Sequence, residues 1–455
     1  MPDFKTLPQV DKVLNLQCFK DALKPILASI TRKVIDEQRA LLKQSRSALS
    51  KDEIIDKIAK KYESFKHTSY QKVINASGIV LHTNLGRSVI DERIYERAKD
   101  MICSYSNLEY DLASAKRSNR YDYSGSLLAA LFGCEDALVV NNNAAAVFLV
   151  LNTFARDAQV IVSRGELVEI GGGFRVPEVM SASGAILKEI ATTNKTRLDD
   201  YENAINENTK MLLKVHRSNF EIVGFSAECG IDEIARLAKK HNILSYYDLG
   251  SGSYEKLNWG LQRAQPCVNQ ALQSGVDLLS FSGDKLFGSV QAGIILGRKD
   301  LIVKLRSNQL LRMLRVDKVT LAILCQSTLA YLKNESELIA TPRLINRDLD
   351  ELEKLANTLL DNLNEQSKSK VKILHSQTFV GGGSLPNRHI PTIAIALSGD
   401  ARILEKKFRS KNIIGRIENE SFLLDLRAVL DTDIDALKSA LAQILAQRQD
   451  LTCDK

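Results

Sequence analysis

Three short runs place reactive or anion-binding groups at the ends of apolar segments. In Ser280-Phe281-Ser282-Gly283-Asp284-Lys285, the lysine follows the apolar run Leu278–Phe281. Partial desolvation there lowers an ammonium pKa and leaves an amine able to form a Schiff base with a carbonyl compound. Asp248, 37 positions earlier, closes the run Ile243–Tyr247 and precedes Leu249-Gly250-Ser251-Gly252. A carboxylate beside glycines at a strand end can hold a pyridinium N–H and keep such a ring protonated, which makes it a better electron sink. Upstream, Asn141-Asn142-Asn143-Ala144-Ala145-Ala146 separates the apolar run Ala137–Val140 from a helical stretch, Ala144–Ala155. Small residues at a helix start let backbone N–H groups and the helix dipole meet an anion, which makes Asn142, Asn143, Ala144 and Ala145 a candidate phosphate turn. Ser282, three residues before Lys285, could reach the same phosphate.

Phosphate turn, strand-end Asp and strand-end SxxK, in that order, resemble the arrangement in aminotransferase-like pyridoxal-phosphate enzymes. Other candidates lie on the same rim. His216-Arg217-Ser218-Asn219 follows the apolar run Met211–Val215. Asn219 could bond the cofactor's phenolic oxygen or the substrate, and His216 reads equally as a site residue or a core histidine. The glycine-punctuated loop His82-Thr83-Asn84-Leu85-Gly86-Arg87 could deliver Arg87. Arg312 and Arg315, three apart, would share one face of a helix spanning Asp300–Asn334, either as a phosphate clamp or as solvent charges. No GxGxxG follows a strand, and GxxxxGK[ST], HExxH and GxSxG are absent, which argues against dinucleotide, P-loop, zincin and serine-hydrolase chemistry.

Strands must carry these residues. Val160–Val162, Ala185–Ile190, Gly293–Leu296 and the runs above alternate with helical stretches such as Asp232–Lys240 and Val268–Ser274. That pattern implies an α/β core with a mainly parallel sheet covered on both faces, and ligands beyond the strands' carboxyl ends. Before it, Val13–Ile30 and Val34–Leu42 read as helices with Pro25 as a break, among frequent lysines and arginines from Lys20 to Lys66 that include Arg46, Lys57 and Lys61. This is a solvated basic face or a contact for an acidic partner. The expected division is a helical domain 1–66, a core domain 67–334 ending in the long helix, and a small α+β C-terminal domain 335–455. The last contains strands Thr392–Ala396 and Phe422–Asp425 and a bend at Gly381-Gly382-Gly383.

Composition sets the remaining bounds. With 455 residues, 44% hydrophobic and 26% charged, the chain can bury a large core. A net charge of +7 permits a polyanionic partner without requiring one. Seven cysteines without a CxxC suggest neither a disulfide framework nor a zinc site, so no metal is expected. No signal-like segment or run of membrane-spanning length occurs, so a cytoplasmic location is expected.

Longer runs carry a closer resemblance. His82–Ser88 (HTNLGRS), Tyr105–Leu112 (YSNLEYDL), Val139–Val147 (VVNNNAAAV), Ser163–Gly172 (SRGELVEIGG), Thr192–Thr196 (TTNKT), Asp248–Ser253 (DLGSGS) and Phe281–Leu286 (FSGDKL) resemble bacterial selenocysteine synthases, the L-seryl-tRNA(Sec) selenium transferases of pyridoxal-phosphate fold type I. The likeness extends over nearly the whole length. It implies conversion of L-seryl-tRNA(Sec) to L-selenocysteinyl-tRNA(Sec) with selenophosphate, through an aminoacrylyl intermediate on pyridoxal 5'-phosphate. Lys285 would carry the cofactor, Asp248 would hold its ring nitrogen, and Arg87, Arg312 and Arg315 would hold the selenophosphate. The N-terminal helices would grip the tRNA, and the enzyme would be a homo-oligomer, a ring of dimers such as a decamer. Two other readings stay open: a lyase acting on a free amino acid or amino sugar, and a catalytically inactive tRNA-binding relative.

Three places depart from the family pattern. A glycine is usual within Arg117–Arg120, where this chain has Ser118-Asn119. The usual GGPQAG is here Gly288-Ser289-Val290-Gln291-Ala292-Gly293, and the usual His-Pro-Leu before Arg312 is here Ser307-Asn308-Gln309-Leu310. If Ser289 replaces a glycine needed at positive φ, the cost is about 1 kcal/mol near the cofactor.

Overall fold

The computed structural model describes residues 7–446, apart from 45, 46, 48, 67, 168, 171–173, 262–265, 362 and 382–383. They form two units, Met1–Lys72 and Val73–Lys455.

The first unit is built from α1 (Val10–Leu14), α2 (Lys24–Lys43) and α3 (Lys51–Lys66). Pro25 starts α2 rather than breaking a helix, because in the first turn its missing N–H costs no hydrogen bond. The interruption expected at Pro25 falls earlier, around the 3₁₀ turn Gln17–Phe19. Val13, Phe19, Leu27, Val34, Ile54, Ile58 and Tyr62 form the core of the unit. The Tyr62 hydroxyl accepts a 2.7 Å bond from Leu23 N–H, which satisfies one donor just ahead of α2. Some of its basic residues are paired, Lys57 and Lys61 with Glu37 at 2.8 and 2.6 Å and Lys66 with Glu63 at 2.6 Å. Arg46 lies outside the described residues.

In the second unit the apolar runs become seven strands: β1 (Asp136–Val140), β2 (Gln159–Ser163), β3 (Ile186–Ile190), β4 (Thr209–Val215), β5 (Leu244–Gly250), β6 (Leu278–Ser282) and β7 (Gly293–Gly297). Their order is β1-β7-β6-β5-β4-β2-β3. Only β7 runs antiparallel to its neighbours. Alternate residues of β4 enter two cores. Met211, Leu213 and Val215 join the main core with Val147 and Val150 of α5 (Asn143–Phe154), which follows α4 (Asp122–Phe132). Leu212 packs with Ile234 and Leu237 of α6 (Ile231–Lys240) on the other face. Burial on both faces explains why the strands read as continuous apolar runs.

The expected helix over Asp300–Asn334 is three helices: α7 (Lys299–Ser307), α8 (Leu311–Leu314) and α9 (Lys318–Leu332). Asn308 leaves the helix at ψ 127° and its side chain accepts from Leu310 N–H at 2.9 Å. Asp317 then caps α9, accepting from Val319 and Thr320 N–H at 2.7 and 3.0 Å. Both side chains compete with helical hydrogen bonding, as short polar residues do.

Helix α10 (Leu349–Leu360) precedes an antiparallel sheet of β8 (Val371–Gly381), β9 (Ser384–Leu397), β10 (Arg416–Glu418) and β11 (Ser421–Asp425), ordered β8-β9-β11-β10. Helices α11 (Ala401–Arg409) and α12 (Ile434–Ala446) pack with it around Ile393, Ile395, Phe408, Phe422 and Leu441. Gly381 lies opposite Ser384 across the hairpin; Gly382 and Gly383 of the expected bend lie outside the described residues. Among the described residues no helix is long and apolar enough to cross a membrane.

Candidate active site

Because β7 is antiparallel to both β1 and β6, the carboxyl ends of β1, β4, β5 and β6 emerge on one edge. The Asn141–Ala146 turn, His216–Asn219, Asp248 and Ser282–Lys285 therefore meet at one rim, the side on which parallel sheets bind ligands.

Lys285 is 7% exposed, and its ammonium has no hydrogen bond or ion pair among the described residues. Burial pushes its pKa below the ordinary lysine value, with the Arg87 charge adding to the shift and Asp248 and Asp284 opposing it. Asp248 is equally buried, and desolvation pushes its carboxyl above the usual range against the opposing hydrogen bond from Asn143. A short bond joins them, Asn143 Nδ2 donating to Asp248 Oδ1 at 2.7 Å. Asn143 Oδ1 is buried without a partner among the described residues. The rim thus holds a buried amine with a lowered pKa, a fixed carboxyl group and an unused acceptor.

In the phosphate turn, Asn142 is the N-cap of α5, and its side chain accepts from Ala145 N–H at 2.9 Å. That bond occupies the Ala145 donor and leaves the N–H groups of Asn143 and Ala144 at the helix start. The two asparagines therefore differ: Asn142 shapes the helix terminus, whereas Asn143 faces Asp248. Close approach explains Gly293, where a Cβ would sit 2.1 Å from Asn142 O. Ser282 is buried at the end of β6. His216 is half-buried; its N–H donates to Asp248 O at 2.8 Å and its Nδ1 lies 3.4 Å from Tyr247 Oη. Asn219 donates to Glu169 O at 3.1 Å, and its buried Oδ1 has no partner among the described residues.

The three arginines do not form one cluster within the chain. Gly86 and Arg87 both adopt left-handed backbone, φ 91° and 62°, and Arg87 N–H donates to His82 O at 3.1 Å. This turn brings Arg87 Nη1 to Asp284 Oδ2 at 2.9 Å, beside Lys285. Arg312 lies on α8, and Arg315 follows it in extended backbone at ψ 140°, so they do not share the face of one helix. Both line a separate cleft with Arg117, Arg120 and Arg306. That cleft adjoins the phosphate turn, since Asn141 N–H donates to Leu314 O at 3.0 Å. Sequence reasoning passed over Asp284 and Glu109. Asp284's place beside Lys285 was a usable signal, but Glu109's partners are distant in sequence or across a hairpin.

The Ser289 departure has a different outcome from the one expected. Positive φ in that turn belongs to the retained Gly288, at 80°, and not to Ser289. Ser289 instead donates through its hydroxyl to Ser327 Oγ at 2.8 Å, and Ser327 donates on to Ile323 O at 3.0 Å. Ser289 N–H also closes the lysine turn onto Gly283 O at 2.8 Å.

Residues 73–430 match the family described as SelA, L-seryl-tRNA selenium transferase. The chain belongs to this family. It is 53% identical to the L-seryl-tRNA(Sec) selenium transferase of Campylobacter concisus (strain 13826), covering 96% of this chain and 98% of that one. It is 48% identical to the enzyme of the same name from Sulfurimonas denitrificans, covering 97% and 98%. A solved D-glucosaminate-6-phosphate ammonia-lyase superposes with a TM-score of 0.60 at 18% identity, covering 84% of this chain and 98% of that chain, which shows the shared fold. Pyridoxal 5'-phosphate is the cofactor of the family, and the rim fits it. A buried lysine without a hydrogen bond or ion pair among the described residues suits the aldehyde carbon, a buried carboxylate suits the ring nitrogen, and helix-start N–H groups among alanines suit the phosphate.

Proposed function

We propose that this chain converts L-seryl-tRNA(Sec) to L-selenocysteinyl-tRNA(Sec), with selenophosphate as the selenium donor. The observation that carries the site assignment is Lys285, buried and without a hydrogen bond or ion pair among the described residues, on the rim that also holds Asp248. Family membership supports the tRNA-linked substrate over a free amino acid or amino sugar.

Bound pyridoxal phosphate supplies an electrophilic carbon for the substrate amine and an electron sink for the charge left at the serine α-carbon. Lys285 holds the cofactor, and its desolvated Nζ, once free, takes the α-proton. Asp248, fixed by Asn143, holds the ring N–H. The N–H groups of Asn143 and Ala144 and the Ser282 hydroxyl bind the phosphate, with Ala145 beside them and Asn142 fixing the helix start. His216 and Asn219 flank the ring. Because the serine carboxyl is esterified to tRNA, no arginine is needed for a free carboxylate. Arg312 and Arg315 in the adjoining cleft are therefore available for the oxyanion of selenophosphate, and Arg87, beside Lys285, would join them by exchanging its bond to Asp284.

The helical region 1–66 is assigned to tRNA binding, 67–334 to the cofactor core and 335–455 to the small domain. The working form is proposed as a cytoplasmic homo-oligomer, a ring of dimers. The unstrained Ser289 turn supports a working centre rather than a binding relic. Replacing Lys285 with alanine tests the assignment: seryl-tRNA(Sec) conversion should vanish while tRNA binding persists. Normal turnover by that variant would refute it.

A further inference from the structure

The arginine cleft has a volume of about 380 Å³ and lies between the 109–121 and 306–315 segments. Five guanidinium groups line it, from Arg117, Arg120, Arg306, Arg312 and Arg315. They are not equivalent. Arg306 is taken by Asp136 Oδ1 at 2.8 Å and Ala137 O at 3.0 Å. Glu109 takes two more, accepting from Arg117 Nη2 at 2.9 Å and from Arg120 Nε and Nη2 at 2.8 and 2.5 Å. Arg120 is further fixed by donating to Val316 O at 2.8 Å.

What remains is specific. The Arg312 guanidinium has no hydrogen bond or ion pair among the described residues, and Arg315 has only a 3.8 Å contact with Glu109 Oε1. Tyr121, a residue only 4% exposed, also lines the cleft, and its buried hydroxyl has no partner among the described residues. A buried hydroxyl without a partner is costly unless a ligand satisfies it. The position of Glu109 is built in, because Ser118 N–H donates to Glu109 O at 3.1 Å and Tyr110 pairs with Arg117 across the hairpin.

We infer that Glu109 is the specificity-determining residue of this cleft: a resident counter-anion that withdraws Arg117 and Arg120 and leaves Arg312, Arg315 and Tyr121 for one small tetrahedral oxyanion. The inference rests on the reading that the cleft receives the phosphate-like end of the selenium donor. Without Glu109 four guanidinium groups, Arg306 being held by Asp136, would face the cleft and favour polyanions. With its own carboxylate in place, the cleft offers two guanidinium groups and one hydroxyl, enough for a single phosphate-sized group.

Calorimetric titration of the full chain with inorganic phosphate and with pyrophosphate tests this. The wild type should bind phosphate, an Arg312→Gln variant should lose that binding, and Glu109→Gln should raise pyrophosphate affinity at least tenfold more than phosphate affinity. Phosphate binding that needs Arg312, with an unchanged or falling pyrophosphate preference in Glu109→Gln, overturns the role of Glu109 and leaves the anion site standing. No Arg312-dependent phosphate binding in either the wild type or Glu109→Gln overturns the anion site itself. Should Glu109→Gln fail to fold, Arg117→Gln decides. Unchanged phosphate affinity supports a guanidinium already neutralised, and a tenfold loss overturns it.

Discussion

Asn143 Nδ2 donates to Asp248 Oδ1 across 2.7 Å, so the turn that starts α5 also fixes the carboxylate ending β5. The bond opposes the desolvation that pushes the Asp248 pKa up. It keeps an anion available for a ring N–H in a buried place. Replacing Asn143 with alanine removes a hydrogen bond to a charged group, worth about 1.5–3 kcal/mol. Cofactor affinity should fall roughly ten- to a hundredfold. Equilibrium titration with pyridoxal phosphate measures it, and affinity unchanged within twofold would mean that the bond does not serve the cofactor.

Lys285 gives a pH signature in the cofactor-free protein. Its folded pKa lies below the ordinary 10.5, so the folded state binds fewer protons than the unfolded chain between the two values. Its contribution to stability is present above the unfolded value and is lost as pH falls through the lowered folded one. Lys285→Met should therefore unfold at higher denaturant than the wild type near neutral pH, with the gap closing toward pH 10.5. Denaturant melts at the two pH values check this. Arg87→Gln removes the second cause of the shift and should move the window upward.

The lysine turn is held from α9 by the Ser289–Ser327 bond. Ser327→Ala leaves the buried Ser289 hydroxyl without its acceptor and should cost about 1–3 kcal/mol. A Ser289→Ala, Ser327→Ala double-mutant cycle should show coupling, whereas additive effects would mean that the bond contributes nothing.

Gly288 carries the backbone demand in the same turn. A Cβ there would lie 2.4 Å from Ile339 Cγ2 at φ 80°. Gly288→Ala should cost about 1–2 kcal/mol in backbone conformation and about 1–3 kcal/mol in overpacking. Ser289→Gly should relieve no strain. Thermal melts of both variants separate the two positions.

Much of the site was legible because chemistry and hydrophobic pattern coincided. Asp248 and Lys285 each follow an apolar run, and both runs became neighbouring strands of the sheet. The seven strand assignments depended only on buried runs separated by polar turns. Leu310, Leu311, Leu314 and Val316 continue the apolar spacing across the breaks at Asn308 and Asp317, so one long helix was read where capping side chains make three. That error put Arg312 and Arg315 on a shared face. Glu109 pairs with Arg117 across a hairpin and with Arg120 beyond it, contacts that no helical or strand period encodes. The strain expected at Ser289 was displaced by one residue, because which member of a Gly-Ser pair takes positive φ depends on what packs against the turn.

The central claim, that Lys285 holds the cofactor for a tRNA-linked serine, is tested most directly by the visible absorption spectrum of the cofactor-loaded full chain. Spectra are taken before and after adding seryl-tRNA(Sec), and separately after adding free serine. The account predicts a cofactor band that needs Lys285 and changes with seryl-tRNA(Sec) but not with serine. A band that responds to free serine, or one that survives unaltered in Lys285→Ala, would contradict it.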